Sequence, residues 1–112
     1  MEEKQDKNDV EQDIGQLQLI QQNLQTILMQ KQQFQMQLNE IDSALQEIVN
    51  TQQAYKIIGN IMVAGKKEEI EADLKKKKEI LEIRIKNLET QEQKLRSKVE
   101  DMQKGVVRGL KG

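Results

Sequence analysis

The sequence predicts a mainly α fold: a long antiparallel two-helix coiled coil with a β-hairpin at the turn. Three observations carry this. The 112-residue chain contains no proline, so no ring interrupts a helix. Its apolar residues recur in alternating steps of three and four along two separate runs. Between the runs lies "YKIIGNIMVAGKK", Tyr55 to Lys67, a nearly uncharged stretch containing a Gly-Asn pair.

The first run passes through Leu17, Ile20, Leu24, Ile27, Lys31, Phe34, Leu38, Ile41, Leu45 and Ile48. Nine of these ten are apolar, and a mean step of about 3.5 residues is the signature of a left-handed coiled-coil seam. It places helix 1 over residues 10–52, behind a flexible lead-in at 1–9. The second run holds Leu74, Lys78, Leu81, Ile85, Leu88, Glu92, Leu95, Val99 and Met102. It places helix 2 over residues 67–104, with 105–112 as a flexible end.

The runs are reflections of each other. Leu45 faces Leu74, Ile41 faces Lys78, Leu38 faces Leu81 and Phe34 faces Ile85; Leu24, Ile20 and Leu17 then face Leu95, Val99 and Met102. Each pair of residue numbers totals 119, so one antiparallel register satisfies nearly the whole seam. The lapses at Lys31 and Glu92 fall one layer apart, which invites an ion pair that disfavours other registers. At about 1.5 Å per residue, arms of about forty residues reach roughly 60 Å, an arm rather than a ball.

The stretch 55–64 reads as a β-hairpin. "YKII" and "IMVA" are short apolar runs, and Gly first in a two-residue loop suits a type II′ turn at Gly59-Asn60. Pairing about that turn sets Ile58 against Ile61, Ile57 against Met62, Lys56 against Val63 and Tyr55 against Ala64. One face then carries Lys56, Ile58, Ile61 and Val63, the other Tyr55, Ile57, Met62 and Ala64. Both faces are largely apolar, and the seam residues are already used along the arms. A lone two-stranded hairpin is marginal in water, so other subunits must cover this one and pair its edges. The expected assembly residues are Tyr55, Ile57, Ile58, Gly59, Asn60, Ile61, Met62 and Val63.

Composition narrows the function. Apolar residues make up 36% of the chain and aromatics 2%, too few for a compact core. The charge is uneven, about −4 over residues 1–14, about −1 over 15–64 and about +4 over 65–112, which favours antiparallel folding. Lys75 to Lys78 form a basic block, but acidic residues surround it, so it reads as a solvated face and not a nucleic-acid site. There is no histidine and no cysteine, and no scaffold that would bury a carboxylate pair for acid-base work. "GNIMVAGKK" only imitates a phosphate loop: five residues separate Gly59 from Gly65 where four are needed, and Lys67 stands where a magnesium-binding hydroxyl belongs. No enzyme activity, cofactor or metal is expected. Neither a membrane span nor a secretory leader is legible, so the cytoplasm is the expected address.

The long first helix, the centre "YKIIGNIMVAGKKEEIEADL" and the return helix "KKKEILEIRIKNLETQEQKL" resemble the β-type subunit of prefoldin. The likeness covers nearly the whole chain. Its most specific parts are Tyr55 to Gly59, Ile61 to Ala64, and Leu81 to Leu95 with Arg84, Leu88, Glu89, Gln91 and Glu92. The resemblance implies a hexamer of two α-type and four β-type subunits joined through their hairpins. It implies an ATP-independent holdase that captures non-native polypeptide at the coiled-coil tips and passes it to a group II chaperonin. A single hairpin marks the β type, and the short termini look archaeal.

Mapped onto this chain, the client-binding tips are Val10, Ile14, Leu17, Met102, Val106, Val107 and Leu110. Val10 and Ile14 lie in an acidic lead-in interrupted by Gly15, and Val106, Val107 and Leu110 in the glycine-rich "KGVVRGLKG". Leu19, Met29 and Met36 fall off the seam and extend that surface, beside an arm with ten glutamines among residues 16–37. The competing reading is a structural or adaptor coiled coil without client binding.

Overall fold

A computed structural model describes the backbone of residues 2–111 and the side chains of residues 10–108. Four elements follow in order: α1 (Glu2–Ile48), β1 (Ala54–Ile58), β2 (Ile61–Gly65) and α2 (Lys67–Lys111). The architecture is the expected one, two long helices with an antiparallel hairpin between them.

The element ends differ from those read in the sequence. α1 stops at Ile48 and not at 52, because the next seam position falls on polar Thr51 or Gln52 and there is nothing apolar left to bury. Its last carbonyls are satisfied locally: Asn50 N–H donates to the Glu47 carbonyl (3.1 Å), Thr51 N–H to that of Ile48 (3.3 Å), and the Thr51 hydroxyl to that of Glu47 (2.7 Å). At the other end α1 begins at Glu2, ahead of the expected residue 10. α2 runs through Gly105 to Lys111, past the expected 104. Half-buried Val106 takes the next seam step after Met102, and such packing outweighs the helix cost of a glycine, about 1 kcal/mol.

The chain divides into two compact units, one of Met1–Gln30 with Asn87–Gly112 and the other of Lys31–Lys86. In the first, Ile20, Ile27 and Leu88 are buried, while Leu17, Leu24, Leu95, Val99 and Met102 are half-buried. In the second, Ile48 and Leu81 are buried, flanked by half-buried Phe34, Leu38, Ile41, Leu45, Leu74 and Ile85. Burying an Ile or Leu side chain stabilises by about 1.5–3 kcal/mol, so these residues carry the packing energy.

Within the second unit, cross-helix contacts fix direction and register. Asp42 meets Lys78 at 2.9 Å, and the Arg84 guanidinium lies 5.8 Å from the centre of the Phe34 ring. Rising numbers on one helix meet falling numbers on the other, which makes the pair antiparallel. The two contacts total 120 and 118, bracketing the predicted 119.

Candidate functional site

The hairpin is built as its sequence requires. β1 and β2 pair antiparallel with Ala54 opposite Gly65, Tyr55 opposite Ala64, Lys56 opposite Val63, Ile57 opposite Met62 and Ile58 opposite Ile61. Gly59 has φ +61° and is alone in positive φ among the described residues, which matches a turn of type II′ in which only the first loop residue is left-handed. That conformation costs glycine little and an L side chain more.

Every residue from Tyr55 to Ala64 is exposed. Ile57 is 71% accessible and Met62, its cross-strand partner, 67%; on the other face Ile61 is 66% accessible. Neither face is covered within the chain, and the sheet among the described residues has two strands, each with a free edge. The Tyr55 hydroxyl donates to Gln53 Oε1 at 2.9 Å, so its polar tip is satisfied while its ring stays exposed. Under the strands lies a hollow lined in part by Ile48, Ile57, Met62, Ile70 and Leu74. The arrangement is an apolar ribbon with unpaired edges, whose chemistry is that of β-pairing and burial.

Two contacts tie the ribbon's root to the helices, and neither was read in the sequence. The Lys67 ammonium donates to the Val49 carbonyl at 2.9 Å. A methyl group added at Gly65 would stand 2.8 Å from Ile70 Cδ1, so the last residue of β2 is pressed onto the first turn of α2. The legible signal for Lys67 was its sign: a cation opening a helix, where the dipole disfavours it. Farther along, the Lys78–Asp42 contact raises the Lys78 pKa from its ordinary 10.5, through the Asp42 hydrogen bond first and its charge second. Lys78 had appeared as a seam position opposite Ile41 and as the end of the basic block, with no partner read for it.

The helix-end residues fall into two groups. Val10, Leu17, Met102 and Val106 are half-buried and keep the seam's steps of three and four. Ile14 and Val107 are exposed, because half-buried Asp13 takes the seam step beside Ile14 and Val106 takes the one beside Val107. The Leu110 side chain lies outside the described residues. Off the seam, Leu19, Met29 and Met36 are exposed. Among the described residues no cluster of metal-ligating side chains occurs, and no helix is long and apolar enough to cross a membrane.

Comparison with known proteins places this geometry. The family model described as "Prefoldin subunit" matches residues 11–111. The chain is 41% identical over 93 residues to the "Prefoldin subunit beta" of Archaeoglobus fulgidus, covering 80% of each chain. It is 40% identical over 101 residues to the "Prefoldin subunit beta" of Pyrococcus abyssi, covering 88% of this chain and 86% of that one. The crystal structure of the prefoldin beta subunit from Thermococcus strain KS-1 superposes with a TM-score of 0.86 at 37% identity, covering 92% of this chain and 93% of that one. The hairpin, the paired helices and these matches lead to one conclusion: the chain belongs to the prefoldin subunit family and is of its β type.

Proposed function

We propose that this chain, a subunit of a prefoldin chaperone complex, works as an ATP-independent holdase in a hexamer of two α-type and four β-type subunits. Its hairpins join the subunits, and the ends of its helices hold non-native polypeptide and deliver it to a group II chaperonin. The observation that carries the reading is the hairpin, apolar on both faces and uncovered on both. A face of that kind is stable in water only when a partner covers it. Exposed Ile14 and Val107 support client capture, since isolated apolar side chains on a charged helix suit weak, sequence-tolerant contacts. The cytoplasm is the proposed location.

One observation favours a structural adaptor as a second reading. Four of the six described helix-end residues, Val10, Leu17, Met102 and Val106, sit in the seam and do not face outward. The two readings separate in one experiment. Native mass measurement of the chain, alone and with an α-type subunit, tests assembly, and an aggregation assay without ATP runs on the same samples. Removing residues 1–14 and 105–112 abolishes suppression if the chain is a holdase and leaves it unchanged if it is an adaptor. A monomer that stays inert in both conditions defeats the proposal.

A further inference from the structure

α1 ends without a basic residue in its last turn, so the negative end of its dipole has no cation of its own. α2 begins with Lys67, a cation at the positive end of its own dipole. Glu68 and Glu69 in that same turn already suit the α2 dipole, so it is the α1 end that is poorly matched by itself. The 2.9 Å bond from the Lys67 ammonium to the Val49 carbonyl answers that mismatch, carrying a charge of α2 to the terminus of α1. It spans 18 residues of chain and closes the loop that contains the whole hairpin. Across that root, Gly65 allows Ile70 to pack against the end of β2. The hairpin leaves the helices through two short connections, 49–53 and Lys66, and each is held.

We propose that Lys67 is a positioning residue for assembly. It lends α1 the C-terminal cation it lacks and thereby sets the angle at which the hairpin is presented to neighbouring subunits. The inference rests on the reading that assembly runs through the hairpin. Lys67 touches no partner in this account; it acts by narrowing the range of hairpin orientations. A covered sheet demands one orientation, so each unconstrained one lowers the apparent association constant.

The test uses the full chain with an α-type prefoldin subunit and four proteins: wild type, Lys67→Met, Lys67→Arg and the face variant Ile57→Asp/Met62→Asp. Assembly is read by native mass titration, and helix integrity by thermal melting of each chain alone. Lys67→Met keeps the apolar stem and removes the donor; it weakens assembly by about fivefold, the worth of one ordinary, solvent-exposed hydrogen bond. Lys67→Arg restores assembly to within about twofold, because a guanidinium also donates to a carbonyl. Helix melting stays within about 2 °C throughout the Lys67 series. Wild-type assembly of Lys67→Met beside failure of the face variant overturns the role of Lys67 alone. Wild-type assembly of the face variant overturns the hairpin reading and this inference with it. Equal loss in Lys67→Met and Lys67→Arg, or a melting loss matching the assembly loss, also overturns it.

Discussion

The Lys78 ammonium lies 2.9 Å from the Asp42 carboxylate, joining α2 to α1 beside half-buried Ile41. A lysine at a seam position is tolerated because its stem covers apolar surface while its charge reaches the edge. The contact raises the Lys78 pKa above 10.5. A raised folded pKa means that the pair's contribution is complete below the unfolded value and is lost as pH climbs through the folded one. Denaturation midpoints compared between wild type and Lys78→Met should therefore differ by a constant amount from about pH 7 to pH 10, then converge above about 10.5. A gap that persists unchanged into stronger alkali counts against the pair.

Leu81 and Ile83 are two residues apart on α2, yet one is 6% accessible and the other 59%. Leu81→Ala should cost about 2–4 kcal/mol in denaturant unfolding, from lost burial and a partly unfilled cavity. Ile83→Ala should cost about 0.5 kcal/mol or less. Similar losses at both sites would mean the seam is misplaced.

Among the described residues, Gly59 alone carries the left-handed turn conformation. Gly59→Ala should weaken the hairpin by about 1 kcal/mol, because a Cβ is strained at φ +61°. Replacement by D-alanine, whose preferred φ is positive, should recover or exceed wild type. Assembly with an α-type subunit reports the hairpin, and helical melting serves as the control. Tolerance of L-alanine in assembly would contradict the turn geometry.

Gly65→Ala brings a methyl group 2.8 Å from Ile70 Cδ1, the far end of a side chain that can give way. The expected cost is about 1 kcal/mol. Ile70→Val removes that δ-methyl, so the double variant should be less impaired than the sum of the singles, with a coupling of about 0.5–1 kcal/mol. Strict additivity would show that the close approach does not matter.

Ile14 and Val107 are exposed where Leu17 and Met102 are half-buried. Ile14→Ser/Val107→Ser should lower ATP-free suppression of client aggregation by severalfold and leave melting within about 2 °C. Leu17→Ser/Met102→Ser should lower both. Suppression that follows melting alone would favour the adaptor reading.

The parts of this fold that repeat were readable without coordinates. All nineteen positions of the two seam runs are buried or half-buried, because a 3.5-residue period leaves one face to turn inward. The hairpin register followed from the Gly59-Asn60 pair, since a two-residue loop admits one pairing, and the exposure of both strand faces followed from the seam residues being used along the arms. The root was not readable. Lys67 meets Val49 and Gly65 admits Ile70 only after the chain has reversed, and no local pattern records such contacts. The helix ends misled for a related reason. Gly105 read as the start of a flexible end, yet seam packing continues past it through half-buried Val106.

No described side chain is sealed from water: even Ile20, Ile48 and Leu81 keep 6% of their surface accessible. Little hydrocarbon therefore changes solvation per residue when the isolated chain unfolds, and its heat-capacity increment is small. The resulting stability curve is broad and shallow, with a gradual melt and weak cold sensitivity. Such a chain can keep its helices over a wide thermal span without ever holding them tightly.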